Sequence, residues 1–262
     1  MVRLQDVLGV LVDWMRQYEF DPADVELAFG LPESPLPAWK IELKDGRTLA
    51  LRGKIDRVDL FKHADGSAQA VVLDYKSSGK QLDKTLLEHG LQLQLLSYLG
   101  VLRRVAGLEK HFDVKDISPA GVFFIPLRGK PSSGVRGDIL ETTTADSAAF
   151  QHSGRFDVAA LPQLDNRGEK KGTQFKYKFN VGGELSKAGN DALPTNDFTA
   201  LLDKIESDLR RHGDSIFDGE AAARPFRKGK LIACTYCEFK TVCRFDSWVN
   251  PFNVLKKPET TK

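Results

Sequence analysis

Two short stretches of the chain carry acidic and basic side chains in a pattern suited to phosphate chemistry. Residues 52–59 read RGKIDRVD and include Asp56, and residues 71–77 read VVLDYKS and include Asp74 and Lys76. Because side chains alternate along a β-strand, Asp74 and Lys76 must point to the same face of their strand. A carboxylate and an ammonium group are therefore placed side by side.

The turn between the two stretches determines where Asp56 lies. The sequence Ala64-Asp65-Gly66 fits a three-residue hairpin loop with the glycine in the left-handed conformation. That loop places Asp56 directly opposite Asp74, on one face, with the Cβ atoms about 5 Å apart. A two-residue loop would instead place Asp56 on the other face.

Two carboxylates held this close repel each other unless one is protonated or a cation binds between them. A hard divalent ion such as Mg²⁺ or Mn²⁺ favours such an oxygen cluster, and it usually also binds waters and phosphate oxygens. The ammonium group of Lys76 would hold the attacking water and stabilise the transition state. The pattern predicts a hydrolytic site for phosphodiesters; the alternative is an exposed hairpin with ordinary cross-strand charge pairs.

Gln94 and Tyr98 lie four residues apart in a leucine-rich stretch. At that spacing they share one helix face, offset from the leucines, from which both can reach polar groups at the edge of a sheet. Taken alone, a glutamine in such a stretch is more often solvated than functional. In combination with the carboxylates and the lysine, we interpret both residues as part of the site.

The periodicity of apolar residues predicts the elements that position these side chains. An amphipathic helix is indicated over residues 4–18, ending at Asp21-Pro22, and a long helix that crosses a sheet over residues 82–104. Alternating residues predict an antiparallel meander between the helices and a buried strand after them. The predicted strands cover residues 25–29, 39–43, 48–61, 69–76 and 120–127.

The second half of the chain is less regular. Residues 127–194 are rich in Gly, Ser, Lys and Asp, and only the alternation over residues 175–179 indicates a hairpin arm. A last helix precedes the cysteines. We therefore predict an α/β fold with three regions: a core over residues 1–128, a partly mobile insertion over 129–195, and a C-terminal helix with a cysteine-rich lobe that packs on the core over 196–262.

The overall charge excludes attraction of the whole molecule to nucleic acid. Among 262 residues, 38 Lys+Arg stand against 36 Asp+Glu, which gives a net charge of +2. A site for a polyanion must therefore be local. Residues 221–246 hold six basic and two acidic residues, and four of the basic ones could follow a phosphate backbone: Arg224, Arg227, Lys228 and Lys230. An ordinary solvated basic loop is the alternative.

The composition is that of a globular protein, with 41% hydrophobic and 28% charged residues. No apolar run approaches the roughly 18 to 20 residues that span a bilayer. Asp6 and Asp13 interrupt the N-terminal apolar residues, unlike in a signal peptide. We expect a cytoplasmic protein without a membrane segment.

All three cysteines lie close together, at Cys234, Cys237 and Cys243. In a reducing compartment such clustering favours metal ligation over disulfides. Both a [4Fe–4S] cluster and structural zinc usually take four ligands, and the chain has no fourth cysteine. His212 could serve as a substitute; three free thiols in a small lobe are the alternative.

Taken together, the motifs resemble a known family. GxIDRxD at residues 53–59, DYKS at 74–77 and QxxxY at 94–98 are similar to the RecB-type branch of the PD-(D/E)XK nucleases. The spacing of the cysteines resembles the iron–sulfur nuclease domain of AddB-type helicase–nuclease subunits, with the CRISPR adaptation nucleases a close second. The resemblance covers residues 25–127 and 198–246.

The resemblance implies a restriction-endonuclease-like core, in which helices flank a mixed central sheet. It implies a Mg²⁺- or Mn²⁺-dependent deoxyribonuclease of exonuclease type, acting on DNA ends in double-strand break repair and recombination. It assigns Asp56, Asp74 and the backbone carbonyl of Tyr75 as metal ligands. It makes Lys76 the residue that orients water, gives Gln94 and Tyr98 a supporting role, and makes the cysteines ligands of an iron–sulfur cluster.

Two features depart from the family pattern. Members carry a His or Glu on a helix before the first strands, whereas this chain offers Glu19 at the helix end and Glu26 on the first strand. The missing fourth cysteine, which precedes the nuclease core in AddB-like proteins, is typical of a C-terminal fragment or a shortened relative.

The resemblance also implies partners. They are DNA, as single strands or unwound ends, and a helicase subunit or an upstream helicase-like region. No Walker A motif occurs in the chain, so any ATP hydrolysis must come from elsewhere. The other functions that we consider are a non-catalytic module that binds DNA ends, a CRISPR-adaptation-type nuclease, and a metal-cluster scaffold for protein partners.

Overall fold

The structure is a computed structural model that describes residues 4–77, 79–128, 147–186 and 188–258. Its helices are α1 (Leu4–Met15), α2 (Lys84–Glu88), α3 (Gln94–Arg104), α4 (Leu108–Phe112), α5 (Leu161–Leu164), α6 (Thr195–Phe217) and α7 (Lys240–Cys243). Its strands are β1 (Asp21–Phe29), β2 (Trp39–Glu42), β3 (Thr48–Leu51), β4 (Gly53–Lys62), β5 (Ser67–Lys76), β6 (Asp116–Pro126), β7 (Ser153–Asp157), β8 (Ala192–Leu193), β9 (Phe226–Lys228), β10 (Leu231–Ile232) and β11 (Asn253–Val254).

A mixed six-stranded sheet forms the centre of the molecule, in the order β1-β4-β5-β6-β7-β8. The β5–β6 and β7–β8 pairs are parallel, and the other neighbours are antiparallel. The crossover from β5 to β6 contains α2, α3 and α4, because parallel neighbours cannot be joined by a tight turn. The predicted α/β fold, a mixed sheet flanked by helices, is confirmed.

The hairpin between β4 and β5 has the predicted three-residue loop. The His63 N–H donates to Ser67 O at 2.8 Å, the Gly66 N–H donates to His63 O at 3.0 Å, and Gly66 has φ +89°. The ladder runs from Lys62 opposite Ala68 to Arg57 opposite Leu73. Continued by one residue, this register places Asp56 opposite Asp74.

Each face of the sheet is covered by its own apolar core, because neighbouring residues of β5 and β6 point to opposite faces. The first core joins α3 and α6 to the sheet and includes Val58, Val72, Leu96, Leu99, Val122, Phe198 and Ile205. The second includes Phe20, Val71, Phe123, Phe156, Phe175 and Tyr177. Full burial of one such side chain contributes about 1.5 to 3 kcal/mol. Asp56, Asp74 and Lys76 share the alternation of Val58 and Val72 and therefore lie on the face that α3 covers.

The first helix ends at Met15 rather than at residue 18, and two further predicted elements are each divided into two. The helix expected over residues 82–104 breaks into α2 and α3, because Gly90 (φ +70°) and Gln92 (φ +56°) adopt left-handed backbone conformations that a helix cannot continue through. The strand expected over residues 48–61 divides at Arg52 into β3, which pairs with β2 in a separate two-stranded sheet, and β4.

The segment expected to be an insertion contributes to the central sheet. β7 pairs with β6, and β8 pairs with β7. The hairpin expected around residues 175–179 is present as a short antiparallel pairing, in which the Gly172 N–H donates to Tyr177 O at 3.1 Å. Phe175 and Tyr177 are buried in the second core, with Phe175 4.4 Å from Phe123 between ring centroids. Residues 129–146 of this segment, which was expected to be partly mobile as a whole, lie outside the described residues.

Among the described residues, no helix combines the length and the apolar character that crossing a bilayer would require.

His152 joins the N-terminal helix to the second core. Its ring lies between Trp14, at 5.2 Å, and Phe175, at 5.6 Å, and its Nδ1 is 3.2 Å from Phe150 O. The side chain is buried, and burial lowers the pKa of His152 from 6.5 to about 4. Neutral imidazole is thus the form that the fold stabilises.

The depressed pKa of His152 predicts an acid-labile fold. The folded state excludes a proton that the unfolded chain binds below pH 6.5, so stability is complete above that pH and falls as the pH drops towards 4. At about 1.4 kcal/mol per pKa unit, the loss should approach 3 kcal/mol. Urea unfolding at pH 7.5 and 4.5 measures it; His152→Leu should flatten the pH dependence, and the control His63→Leu, at a half-buried histidine, should not. An equal slope in all three proteins would contradict the assignment.

Candidate active site

The two carboxylates on β4 and β5 lie against each other. Asp56 Oδ2 accepts a hydrogen bond from the Tyr75 N–H at 3.2 Å, and Asp74 is buried with 5% of its surface exposed. Burial raises the pKa of Asp56, and hydrogen bonding to the Asp74 carboxyl raises it further, while the Tyr75 N–H acts in the opposite direction. The pair therefore favours a shared proton or a bound cation.

Lys76 neutralises part of this negative charge. Its Nζ lies 2.9 Å from Oδ1 and 2.6 Å from Oδ2 of Asp74, as the alternation of β5 predicts. The same ammonium group is 5.9 Å from the centre of the Phe124 ring on β6. Lys76 is thus fixed between a carboxylate and an aromatic ring at the carboxyl end of β5.

Gln94 and Tyr98 both lie on α3, as predicted. Gln94 Nε2 donates to Tyr98 Oη at 3.0 Å, and the Tyr98 ring packs edge-on against Phe29 at 6.1 Å. Gly53 makes room for this pair, because a Cβ there would lie 3.3 Å from the Phe29 ring. Within the described residues, neither Gln94 nor Tyr98 hydrogen-bonds to the carboxylates or to Lys76. They pair with each other on the helix that covers this face of the sheet.

A buried ion pair holds the opposite face of the same strands. Asp59, with no exposed surface, accepts from Arg57 Nε at 2.6 Å and Nη2 at 2.7 Å, and from Tyr18 Oη at 2.9 Å. Arg57 also donates to Tyr75 Oη at 3.1 Å. Burial raises the pKa of Asp59, and the bonds from Arg57 oppose that effect. This network ties the end of α1 to the residues that directly follow Asp56 and Asp74.

The acidic residues that could replace the missing helix ligand are used elsewhere. Glu26 is exposed, has φ +57° and pairs with Lys54; Glu19 Oε1 accepts from Asn166 Nδ2 at 3.3 Å. The described residues contain no group of three or more His, Cys, Asp or Glu side chains arranged to hold a metal. Asp56 and Asp74 are therefore a two-carboxylate site in this structure.

A divalent cation fits the chemistry of this pair. Two carboxylates whose contact raises the pKa of Asp56 are the oxygen donors that a hard cation prefers. Such a cation usually completes its shell with waters and substrate phosphate oxygens, so two protein carboxylates suffice in many sites of this kind. Tyr75 follows Asp74 directly, and its carbonyl is the third ligand that we expected.

The cysteines do not form a comparable site. They lie in the C-terminal lobe, residues 221–258, where Cys234 and Cys237 are half-buried and Cys243 is exposed. The three thiols are not gathered into a metal-binding group among the described residues, and His212, the expected substitute, has its Nε2 2.9 Å from Gly90 O. The residues present thus do not fit a four-ligand cluster, so no chemistry is assigned to one.

The four basic residues expected to follow DNA lie on β9 and directly beside it. Arg224 pairs with Glu220 at 3.3 Å, and the Arg227 guanidinium lies 5.5 Å from the Phe252 ring centre. Lys230 is exposed. Lys228 differs from Arg224 because its ammonium group pairs with a residue far away in sequence, Asp83 at the start of α2.

Three residues near the site escaped sequence analysis. Lys80 lies with its Nζ 4.9 Å from the Phe124 ring, beside Lys76. Asp83 caps α2 by accepting from the Leu86 N–H at 3.0 Å, and its own N–H donates to Gln92 Oε1 at 2.8 Å. An Asp directly before a helical segment is a recognisable capping signal. The contacts of Lys80 and Gln92 have no such local signature.

Comparison with known proteins identifies the family of the chain. The family model of the PD-(D/E)XK nuclease superfamily matches residues 2–244. The match covers most of the chain, and the chain therefore belongs to this superfamily.

Three individual proteins that are similar to this chain carry the same name. The chain is 30% identical over 242 residues to a protein of Alkaliphilus metalliredigens, 31% over 262 residues to one of Symbiobacterium thermophilum, and 30% over 262 residues to one of Geobacillus kaustophilus. All three are named as the same subunit of an ATP-dependent helicase/deoxyribonuclease. The matches cover 92%, 95% and 97% of this chain but only 21%, 21% and 22% of the relatives, so the chain spans about a fifth of their length.

The buried Arg57–Asp59 pair makes a prediction about stability. Asp59→Asn leaves the Arg57 guanidinium, whose side chain is 25% exposed, without its counter-charge. We expect the free energy of unfolding to fall by about 2 to 3 kcal/mol, somewhat less than for a fully buried pair. Urea denaturation measures it. Asp116→Asn, at the exposed start of β6, is the matched control; equal stability of the two variants would show that the pair does not hold the strands.

Proposed function

We propose that this chain is the nuclease part of a larger protein and hydrolyses DNA phosphodiesters with the help of a divalent cation. The observation that carries the proposal is the contact between Asp56 and Asp74, with the Lys76 ammonium group on the same strand face. The family match supports hydrolysis of nucleic acid, and the deoxyribonuclease name of the relatives supports DNA as the substrate.

The roles of the residues follow from their positions. Asp56, Asp74 and the Tyr75 carbonyl would hold Mg²⁺ or Mn²⁺, which supplies charge stabilisation and a more acidic water when bound. Lys76 lies close enough to Asp74 to hold the attacking water or a phosphate oxygen beside the carboxylates. Tyr98 would help to hold α3 over the site because its ring packs against Phe29 of β1, and Gln94 orients the Tyr98 hydroxyl by bonding to it.

The nature of the DNA and the partners belong to the same proposal. We infer that the substrate is a DNA end, single-stranded or unwound, digested in exonuclease fashion during repair of double-strand breaks. A helicase subunit or helicase region would unwind it, in keeping with the name of the relatives. Arg224, Arg227 and Lys230 would contact the backbone, since exposed cations in one lobe attract phosphates locally.

Cleavage of linear DNA with Mg²⁺ or Mn²⁺ tests the proposal. We expect Asp74→Ala and Lys76→Ala to lower kcat at least about 100-fold, because each removes a charge that acts on the transition state. Glu109→Ala, at an exposed position of α4, is the matched control and should cleave like the wild type. Cleavage that survives both site substitutions would exclude this site as the catalytic centre.

A second candidate is a module that binds DNA ends without cutting them. The observation in its favour is that no third acidic or histidine side chain joins Asp56 and Asp74 in the described residues. A metal titration separates the two functions. Tight binding of DNA with no product at any Mg²⁺ or Mn²⁺ concentration would support the binding module, and metal-dependent product would exclude it.

A further inference from the structure

The segment between β5 and α3 joins the two halves of the candidate site. It begins directly after Lys76 and ends directly before Gln94. Its position therefore sets how α3 is placed over the carboxylates. The contacts that fix this segment come from a part of the chain far away in sequence.

Asp83 and Gln92 close the segment into a compact loop around α2. The Asp83 N–H donates to Gln92 Oε1 at 2.8 Å, and Asp83 Oδ1 accepts from the Leu86 N–H at 3.0 Å. Gln92 has φ +56°, a conformation that costs a residue with a Cβ about 1 to 2 kcal/mol. The side-chain bond to Asp83 offsets this cost two residues before Gln94.

The C-terminal lobe reaches the same loop. Lys228 of β9 pairs with the second carboxylate oxygen of Asp83, and His89 Nε2 lies 3.0 Å from Lys256 O. Leu255, next to that carbonyl, is buried although most apolar side chains of the lobe are exposed. The lobe therefore contacts the core at the loop that leads into Gln94 and α3.

Helix α6 supports the loop from another side. Lys204 Nζ donates to Glu88 O at 3.0 Å, and His212 Nε2 lies 2.9 Å from Gly90 O. These bonds hold the end of α2, whereas the Lys228 pair holds its beginning. Loss of the lobe contact would thus leave the loop attached but free to shift at Asp83 and Gln92.

We propose that Asp83 and Gln92 are positioning residues for the nuclease site, and that the C-terminal lobe acts on the site through the Lys228–Asp83 pair. This proposal rests on the proposed function for the identity of the site. In addition to contacting DNA, the lobe would then determine the position of α3 and therefore of Gln94 and Tyr98. A substitution that displaces the lobe should therefore lower kcat although it leaves the carboxylates themselves unchanged.

Two pairs of variants test the proposal in the full chain. Gln92→Gly keeps the left-handed backbone but removes the acceptor, and Glu33→Gly removes the same strain at an exposed residue with φ +61°. Lys228→Gln removes the lobe contact, and Lys257→Gln changes an exposed lysine of the same lobe. Asp83→Asn keeps a cap for α2 but loses the charge that Lys228 binds.

We expect Gln92→Gly and Lys228→Gln to lower kcat about tenfold with little change in KM, because a small misplacement of site groups slows chemistry more than binding. The double variant Asp83→Asn/Lys228→Gln should lose no more of its kcat than either single variant, because each substitution breaks the same contact. Wild-type kcat in Gln92→Gly and Lys228→Gln, or equal losses in their controls, would overturn the proposal.

Hydrogen–deuterium exchange gives a readout that does not depend on cleavage. Amides of residues 84–98 should exchange faster in Lys228→Gln than in Lys257→Gln. If the wild type cuts no DNA, the proposed function fails while this exchange still tests the coupling. Unchanged exchange over residues 84–98 would overturn the coupling, whatever the activity of the wild type.

Discussion

The central interaction in this structure is the repulsion between the carboxylates of Asp56 and Asp74, which the surrounding groups must reduce. Two like charges about 4 Å apart at a partly buried site repel by about 4 kcal/mol. That is a large fraction of the 5 to about 15 kcal/mol by which a domain is stable. The raised pKa of Asp56 and the pairing of Lys76 with Asp74 both reduce this repulsion. A divalent cation would reduce it further, so the same feature that costs stability creates affinity for a metal.

The antiparallel ladder between β4 and β5 can hold this unfavourable contact because both faces of the sheet are anchored. On one face, α3 and α6 pack over the strands in the first core. On the other, buried Asp59 binds Tyr18 and Arg57, the residue that directly follows Asp56. The loop around Asp83 then links the face that carries the carboxylates to the C-terminal lobe. Rigid strands thus hold the charges, and a loop that depends on distant contacts holds the helix above them.

Features fixed by local chemistry could be predicted from the sequence. The loop Ala64-Asp65-Gly66 determined the hairpin register and hence the contact of Asp56 with Asp74.

The break between α2 and α3 was missed because the leucine periodicity continues through Gly90 and Gln92. β7 was missed because Phe156 is its only large apolar residue, and its place in the sheet depends on pairing with β6. The Lys228–Asp83 pair joins residues too distant in sequence for any spacing to indicate. The geometry of the cysteines likewise did not follow from their spacing.

Binding of Mn²⁺, followed by electron paramagnetic resonance in the absence of DNA, tests most directly whether the carboxylate pair is a metal site. We expect wild-type protein to bind the ion and Asp74→Asn to lose that binding, because removing one charge removes both the repulsion and the ligand. Asp113→Asn, on an exposed loop, should bind like the wild type. Equal Mn²⁺ affinity in wild type and Asp74→Asn would contradict the assignment of Asp56 and Asp74 as the metal-binding pair.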